Sequence, residues 1–378
     1  MNSLRPLKIL QVCTSRSWGG MEMQTLQTIN RLRTHNLEMT LLCHPQSVLR
    51  REAEAAGIPA LPMPFGNAVH PVLICRLRRF LRSHRFDLMH THFSRDLRFI
   101  VPAGEGLSPR LPIVLTKHVG SYIKKKDPLH RYLYSRVDRV TAISRVIRDN
   151  VIDTCPIDAT RVKIIHNGVD LRRFALSEEK RARTRAALNL RADEVVVGMV
   201  GRMSPGKGHE EFLHAAKEIL RQANHARFLV VGGASFGEEP YAISIEQLCK
   251  DLQLSEHVVF TGFRKDVPEL MGAIDILAFP SHAEAFGNVI IEAMAMAKSV
   301  VSTNCDGVVD IVVDGLTGLQ VPRRDSHALA AGLLKLIGDA MLRDKFGEAG
   351  RRRVVENFDE EKQTKKLIEM YSSLLARR

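Results

Sequence analysis

The chain alternates short apolar runs with helix-forming segments, and this alternation constrains its fold more than any other feature. Runs such as KILQVCT (Lys8–Thr14) and RFLVVGG (Arg227–Gly233) are followed by a polar or glycine-containing turn and then by a segment of helical periodicity. Such alternation predicts βαβ units in a parallel sheet. Because 378 residues exceed what one ordinary hydrophobic core organises, we expect two such domains.

Composition limits the class of protein. Hydrophobic residues make up 45% and charged residues 26%, which is typical of a globular chain. No apolar run approaches the roughly 18 residues that span a bilayer, and the start, MNSLRPLKILQVCTS, leads directly into a strand pattern, so we expect no signal peptide. Six cysteines lack any C-x-x-C pair, which predicts reduced thiols in a cytoplasmic protein.

Positive charge is concentrated in the first half of the chain. Residues 1–170 contain 26 Lys and Arg against 13 Asp and Glu, whereas residues 171–378 contain 29 of each kind. The basic residues cluster in CRLRRFLRSHR (Cys75–Arg85), in Lys124–Lys126 and between Arg131 and Arg148. Such a field attracts nucleic acid, anionic lipid or an acidic acceptor, and a solvated face without a partner is a further alternative.

The segment VLICRLRRFLRSHR (Val72–Arg85) predicts an amphipathic helix within this basic region. Its arginines lie on one face, and the other face carries Val72, Leu73, Leu77, Phe80 and Leu81. Two interpretations remain open: a surface helix packed on the core, or a helix lying on a membrane interface.

The stretch from Ala273 to Val301 predicts a strand, a loop and a helix that begins at Asn288. Glu284 lies in the loop and Glu292 lies eight positions later, so both carboxylates flank the amino end of the helix. That end carries unpaired N–H groups and a partial positive charge, which favour a phosphate. The carboxylates could then hold hydroxyl groups; alternatively, they are solvated acids that favour the helix dipole.

Two other predicted strand ends are followed by glycine-containing loops. Gly19 and Gly20 follow the first strand and precede a helix, where backbone can approach an anion, although glycines also serve as simple turns. The segment from Gly201 to Lys207 matches G-x-x-x-x-G-K, but Gly208 stands where a nucleotide-triphosphatase loop needs Ser or Thr for magnesium. A P-loop is therefore not predicted.

Histidines mark two further strand ends. His90 and His92 share one face of a strand, so a metal pair is conceivable, but no third ligand is evident. His118 ends the strand IVLTK and precedes Gly120.

The motifs of the second half resemble those of family 4 glycosyltransferases, which are retaining nucleotide-sugar enzymes of the GT-B fold. PSHAEAFGNVIIEAMA (Pro280–Ala295) resembles their E-x7-E signature, and the segments 201–208, 312–322 and NGVD (Asn167–Asp170) resemble other family elements. The sequence departs from the family at Ala285, where Gly is usual, and at Ala297–Ser299, where Gly-x-Pro is usual.

The resemblance implies an α/β architecture of two Rossmann-like domains facing across a cleft. The first, residues 1–172 with a C-terminal helix at 356–378 crossing back onto it, would bind the acceptor. The second, residues 173–355, would bind the nucleotide-sugar donor.

The resemblance also implies roles for individual residues. Arg202 and Lys207 would grip the donor diphosphate without a metal, Glu292 the ribose hydroxyls and Glu284 the sugar hydroxyls. His118 would lie beside the transferred sugar. The catalytic set is thus His118, Glu284, Arg202 and Lys207, and the donor-binding set is Gly19, Gly20, Arg202, Lys207, Glu284, Phe286, Gly287, Asn288, Val289 and Glu292.

The predicted function is metal-independent, retaining transfer of a sugar from a UDP- or GDP-sugar to a hydroxyl of a lipid-linked or lipopolysaccharide-type acceptor in cell-envelope synthesis. The nucleotide sugar is a co-substrate, and no other cofactor is expected. The enzyme would be cytoplasmic and peripheral on the inner face of the membrane, which the basic domain would bind. Alternatives are a GT-B epimerase or phosphorylase, or a nucleic-acid-binding protein, although no aromatic-interleaved basic strip is visible.

Overall fold

The computed structural model describes residues 5–66, 70–235 and 237–376. Residues 1–4 of the predicted start and the last two residues of the predicted C-terminal helix lie outside this description. The chain divides into two compact units. Unit 1 comprises Met1–Asn167 and Glu361–Arg378, and unit 2 comprises Gly168–Glu360.

Unit 1 contains a parallel sheet that, over the described residues, has seven strands in the order β3-β2-β1-β4-β5-β6-β7. The strands are β1 (Lys8–Cys13), β2 (Glu38–Cys43), β3 (Ala60–Pro62), β4 (Leu88–Thr91), β5 (Ile113–Lys117), β6 (Arg139–Ala142) and β7 (Val162–Ile164). The helices are α1 (Gly20–Thr34), α2 (Val48–Ala55), α3 (Pro71–His84), α4 (Leu97–Gly104), α5 (Pro128–Ser135) and α6 (Arg145–Thr154).

Unit 2 contains a second parallel sheet, with six strands among the described residues, in the order β10-β9-β8-β11-β12-β13. The strands are β8 (Val195–Val200), β9 (Ala226–Val231), β10 (Val258–Phe260), β11 (Ile276–Phe279), β12 (Ser299–Thr303) and β13 (Leu319–Val321). The helices are α7 (Glu178–Ala187), α8 (His209–Ile219), α9 (Glu239–Asp251), α10 (Val267–Ala273), α11 (Asn288–Ala295), α12 (Ser326–Gly338) and α13 (Ala340–Asn357).

Helices cover both faces of the two sheets, which is why the strands read as continuous apolar runs. β8 and β11 are buried at every position. The last helix, α14 (Glu360–Leu375), packs on the core of unit 1, where Leu367 and Tyr371 join a cluster with Ile9 and Cys13 of β1. The prediction of two Rossmann-like α/β domains is confirmed.

Each sheet reverses its strand order beside its first strand, between β1 and β4 in unit 1 and between β8 and β11 in unit 2. The crevice outside the carboxyl ends of strands at such a switch point is where ligands bind in open α/β sheets. The loops that follow these four strands carry several of the residues singled out from the sequence. The topology therefore brings distant segments to one edge of each sheet.

The departure from the family at Ala297 coincides with an unusual backbone conformation. Ala297 follows α11 with φ 55°, in the left-handed region that favours glycine. The next residue, Lys298, is buried and donates from Nζ to the carbonyl of Gly272 at 3.0 Å. The turn thus keeps the conformation that a glycine would adopt, and neither residue lies among the predicted ligand-binding groups.

Candidate functional site

The loop after β8 docks onto the loop after β11, because the two strands are neighbours in the sheet of unit 2. The amide of His282 donates to the carbonyl of Gly206 at 2.9 Å. Gly208 has φ 86°, and a Cβ atom there would lie 2.3 Å from the carbonyl oxygen of Pro280. Only glycine fits this close approach. The glycine that excludes a P-loop is therefore required by the packing of two loops at the switch point.

Lys207 and Glu284 form an ion pair at this edge, with Nζ 2.7 Å from Oε2. Both side chains remain partly exposed. The loop around Glu284 is fixed through its backbone: the amide of Glu284 donates to Asp306 at 3.2 Å, and its carbonyl accepts from Gly307 at 2.9 Å. The structure thus brings together two of the predicted catalytic residues, and a ligand would meet a cation and a carboxylate side by side.

Arg202 occupies the beginning of the same loop. Its guanidinium lies 3.3 Å from Glu238, and the Arg202 side chain is half-exposed. The long side chain and weak pairing leave this cation able to change partner when an anion binds.

The helix α11 begins at the predicted position, next to this pair. Its N-cap residue, Gly287, has φ 109°, a conformation that side chains rarely tolerate. Asn288 and Val289 form the first turn, with the positive end of the helix dipole. Phe286 is buried and packs edge-to-face on Phe358 at a centroid distance of 5.7 Å. The Phe286 side chain therefore supports the turn, and its backbone is the part that a ligand could contact.

Glu292 lies on the second turn of α11 and is partly buried. Its carboxylate makes no hydrogen bond with any residue that the structure describes. Removal from water raises the pKa of Glu292 to about 7, although Arg173 opposes the shift. Because the Glu292 carboxyl group makes no such hydrogen bond, both of its oxygens are available to hydroxyl groups of a ligand.

In unit 1, the turn after β1 is capped by an acid. The Glu22 carboxylate accepts from the amide of Gly19 at 3.0 Å, and Glu22 is buried. A Cβ atom at Gly20 would meet nothing within 4 Å. The amide of Gly19 is thus already engaged, whereas the backbone at Gly20 borders open space.

His118 follows β5 and is almost fully buried. Its Nε2 lies 3.2 Å from Nδ1 of His92, and Nε2 of His92 lies 2.9 Å from Oε1 of Gln11. Burial and the nearby Lys117 lower the pKa of His118 to about 4, and burial holds the pKa of His92 well below its usual value. Both imidazoles are therefore neutral near pH 7.

His90 and His92 serve in hydrogen bonds. Nδ1 of His90 meets the hydroxyl of Tyr371 at 2.5 Å, and Nε2 meets Thr116 at 2.7 Å. Within the described ranges, no group of three or more His, Cys, Asp or Glu side chains could hold a metal ion. The histidine pair that suggested a metal site belongs to a buried polar network.

Sequence reasoning missed several partners of the predicted residues. These are Gln11, Glu238, His282 and Asp306. Gln11 lies within β1, and Asp306 and His282 lie in the loops after β12 and β11. The rule that polar residues at carboxyl ends of strands converge would have found the last two. The same rule covers Glu238, which lies between β9 and α9, whereas Gln11, inside β1, carried no such signal.

Two Rossmann-like units in one chain, each with polar side chains at its switch point, define a class of two-domain α/β proteins suited to a phosphorylated ligand. Residues 18–173 match the family model described as "Glycosyltransferase Family 4", and residues 180–353 match "Glycosyl transferases group 1". The two matches together span most of the chain. The chain belongs to the glycosyltransferases of this family and GT-B type.

Relatives and a solved structure agree with this assignment. The chain is 30% identical to the capsular polysaccharide biosynthesis glycosyltransferase CapM of Staphylococcus aureus over 245 residues, 62% of each chain. It is 29% identical to D-inositol 3-phosphate glycosyltransferase of Salinispora arenicola over 402 aligned residues, covering 95% of this chain and 88% of that one. The crystal structure of Anabaena HepE in complex with UDP superposes with a TM-score of 0.84 at 26% identity, covering 97% of this chain and 100% of HepE.

Proposed function

We propose that this glycosyltransferase moves a sugar from a nucleoside-diphosphate sugar, with UDP- or GDP-sugars the first candidates, to a hydroxyl of a glycan or glycolipid acceptor. The observation that carries the proposal is the placement of Lys207, Glu284 and the amino end of α11 at one switch point of unit 2. A cation and a helix amino end suit a diphosphate, and carboxylates suit ribose and sugar hydroxyls. HepE, a relative in fold and sequence, holds UDP in its crystal structure.

In this proposal, each group of unit 2 has one task. Lys207 and Arg202 stabilise the negative charge that grows on the leaving diphosphate, and the first turn of α11 supplements them. Glu284 exchanges its ion pair with Lys207 for hydrogen bonds to sugar hydroxyls. Glu292 accepts hydrogen bonds from the ribose. Stereochemistry is retained and no metal ion is required; both features follow the family resemblance.

A donor panel tests the proposal. The protein is incubated with UDP-, GDP- and ADP-sugars and with the free diphosphates, and its thermal unfolding is recorded. A ligand at roughly 100 times its dissociation constant stabilises the protein by about 2.7 kcal/mol, so a true donor raises the unfolding temperature. Stabilisation by no nucleotide sugar, combined with no transfer to glycan acceptors, contradicts the proposal. A donor that is converted without an acceptor supports the epimerase or phosphorylase alternative.

The acceptor is proposed to be lipid-linked or of lipopolysaccharide type, used at an anionic membrane surface in cell-envelope synthesis. The structure changes which residues can contact lipid. Leu77 and Leu81 of α3 are buried, and Arg78 donates to the carbonyl of Pro102 at 2.5 Å. Of the two interpretations of this helix, packing on the core is therefore favoured. In the chain as described, no helix is long and apolar enough to cross a bilayer.

A segment after β5 combines exposed apolar and basic residues instead. Tyr122 is fully exposed and Ile123 is 68% exposed, and Lys124, Lys125 and Lys126 follow directly. Tyrosine suits a membrane interface, where the ring contacts acyl chains and the hydroxyl stays hydrated. Each basic residue near an anionic surface contributes about 1 kcal/mol. This segment, rather than α3, is the proposed contact with lipid.

Vesicle flotation tests the membrane contact. The wild-type protein should float with vesicles containing anionic lipid at low salt and be released at high salt. Replacing Tyr122 and Ile123 by Ser should weaken binding, whereas Ile243→Ser, at an equally exposed isoleucine of α9 in unit 2, should not. Failure of the wild-type protein to bind these vesicles removes the membrane proposal and leaves the donor proposal intact. Equal binding to plain DNA favours a general polyanion surface.

A further inference from the structure

The polar side chains beneath the switch point of unit 1 form a continuous hydrogen-bonded network. Gln11 belongs to this network and is fully buried. Its carbonyl oxygen meets Nε2 of His92 at 2.9 Å, and its amide nitrogen lies 3.7 Å from the sulfur of Met39. His92 continues the chain to His118. Gln11 and His92 are used by no part of the function proposed above.

The orientation of the Gln11 amide follows from its surroundings. A thioether sulfur cannot donate a hydrogen bond, so the side of the amide that faces Met39 must be the NH₂ group. The carbonyl oxygen of Gln11 is thereby directed towards His92.

This orientation fixes the protons on both imidazoles. A carbonyl oxygen only accepts, so Nε2 of His92 must carry the proton in the 2.9 Å contact. Neutral His92 then has an unprotonated Nδ1, which accepts from Nε2–H of His118 across 3.2 Å. His118 is consequently protonated on Nε2 and carries a lone pair on Nδ1. That nitrogen makes no hydrogen bond with any residue in the described ranges.

We propose that Gln11 and His92 are positioning residues that hold His118 in the Nε2–H tautomer, so that its Nδ1 presents an acceptor to a hydroxyl group of a bound sugar. The proposal rests on the function assigned above, because it takes His118 to face a sugar ligand. His118 directly follows β5, two strands from β1 at the carboxyl edge where ligands of such sheets bind. Free imidazole exchanges between tautomers; here an amide that is itself fixed selects one.

Nuclear magnetic resonance of isotope-labelled histidine tests the tautomer directly in the full-length wild-type protein. Long-range proton–nitrogen correlations distinguish protonated from unprotonated ring nitrogens. At neutral pH, His118 and His92 should each show a protonated Nε2 and an unprotonated Nδ1. A protonated Nδ1 on His118 overturns the proposal, whatever the activity of the enzyme.

Two variants at one position test whether the tautomer matters for transfer. His92→Phe fills similar space without an acceptor and should allow both tautomers of His118. It should lower kcat/KM about three- to tenfold, as expected for one neutral hydrogen bond. His92→Asn keeps an oxygen acceptor in reach of His118 and should restore both the Nε2–H signal and most of the activity.

Three results separate the possible failures. Equal kcat/KM in folded His92→Phe and wild-type protein overturns the positioning role. An equal loss in His92→Phe and His92→Asn, with the His118 tautomer intact in the latter, also overturns it, because the damage is then structural. If no nucleotide sugar is turned over by the wild-type protein, the proposed function fails, while the spectra still decide the tautomer.

Discussion

Lys207→Ala removes the cation that we assign to the leaving diphosphate, and the structure separates its effect on activity from its effect on stability. The Lys207–Glu284 pair is short, at 2.7 Å, but its side chains are 29% and 21% exposed. Partly solvated pairs of this kind contribute at most about 1 kcal/mol to folding. The variant should therefore fold, with a small change in unfolding temperature.

The loss of transition-state stabilisation should be larger. Removing one preorganised group that stabilises developing charge costs about 2 to 4 kcal/mol, which corresponds to a fall in kcat/KM of about 30- to 900-fold. Lys207→Arg keeps the positive charge in a side chain of different shape. Its kcat/KM should therefore lie between those of the wild type and Lys207→Ala. Initial rates of nucleoside-diphosphate release with the donor identified by the panel provide the measurement.

A matched control distinguishes the site from the general basic field. Lys124 is 66% exposed and lies 3.8 Å from Asp153, so Lys124→Ala removes one positive charge from unit 1 and leaves the residues of unit 2 unchanged. Its activity towards a water-soluble acceptor should equal that of wild type. Unchanged kcat/KM in a folded Lys207→Ala protein would refute the assignment of this loop to the diphosphate.

Three further predictions concern the acids and the metal. Glu292→Gln should weaken binding of the free nucleoside diphosphate and of the full donor in calorimetry, whereas Glu284→Gln should weaken mainly the sugar-bearing donor; equal weakening of the free diphosphate by both variants contradicts the division of roles. Because the folded-state pKa of Glu292 is raised to about 7, its contribution to stability is fully present below the unfolded pKa of about 4.3 and is lost as pH rises towards 7. Urea unfolding should therefore show Glu292→Gln gaining stability relative to wild type from pH 4 to 7; a constant difference contradicts the shifted pKa. Treatment with EDTA should leave turnover unchanged, and restoration of lost activity by magnesium would show that the reaction needs a metal.

The sequence by itself determined the class of fold and pointed to several residues of the candidate site. Alternating strand and helix patterns predict parallel sheets because strands buried on both faces must be apolar throughout, and β8 and β11 are of this kind. The start of α11 could be predicted because Gly287 separates the segment after an apolar strand from a run of helix-forming residues. Lys207 and Glu284 could each be identified as a candidate from the sequence, because each lies in a motif formed by one short continuous segment.

The tertiary structure alone decided which of these groups meet and what their environments are. Residues 207 and 284 lie 77 positions apart, and only the adjacency of β8 and β11 brings their charges to 2.7 Å. The periodicity of α3 could not show whether this helix packs on the core or lies on a membrane, because an apolar stripe suits a protein core and a lipid surface equally. In the folded chain Leu77 and Leu81 are buried, which favours packing on the core.

The network of Gln11, His92 and His118 shows the same limit most clearly. Its three residues come from or follow three different strands, and no local pattern relates a glutamine in β1 to histidines 81 and 107 positions later. Register pairs Gln11 with His90 across β1 and β4, and the order of the strands sets His118 beside His92. Hydrogen-bond direction, and hence tautomer, depends on contacts between residues distant in sequence, so it is a property of the folded chain.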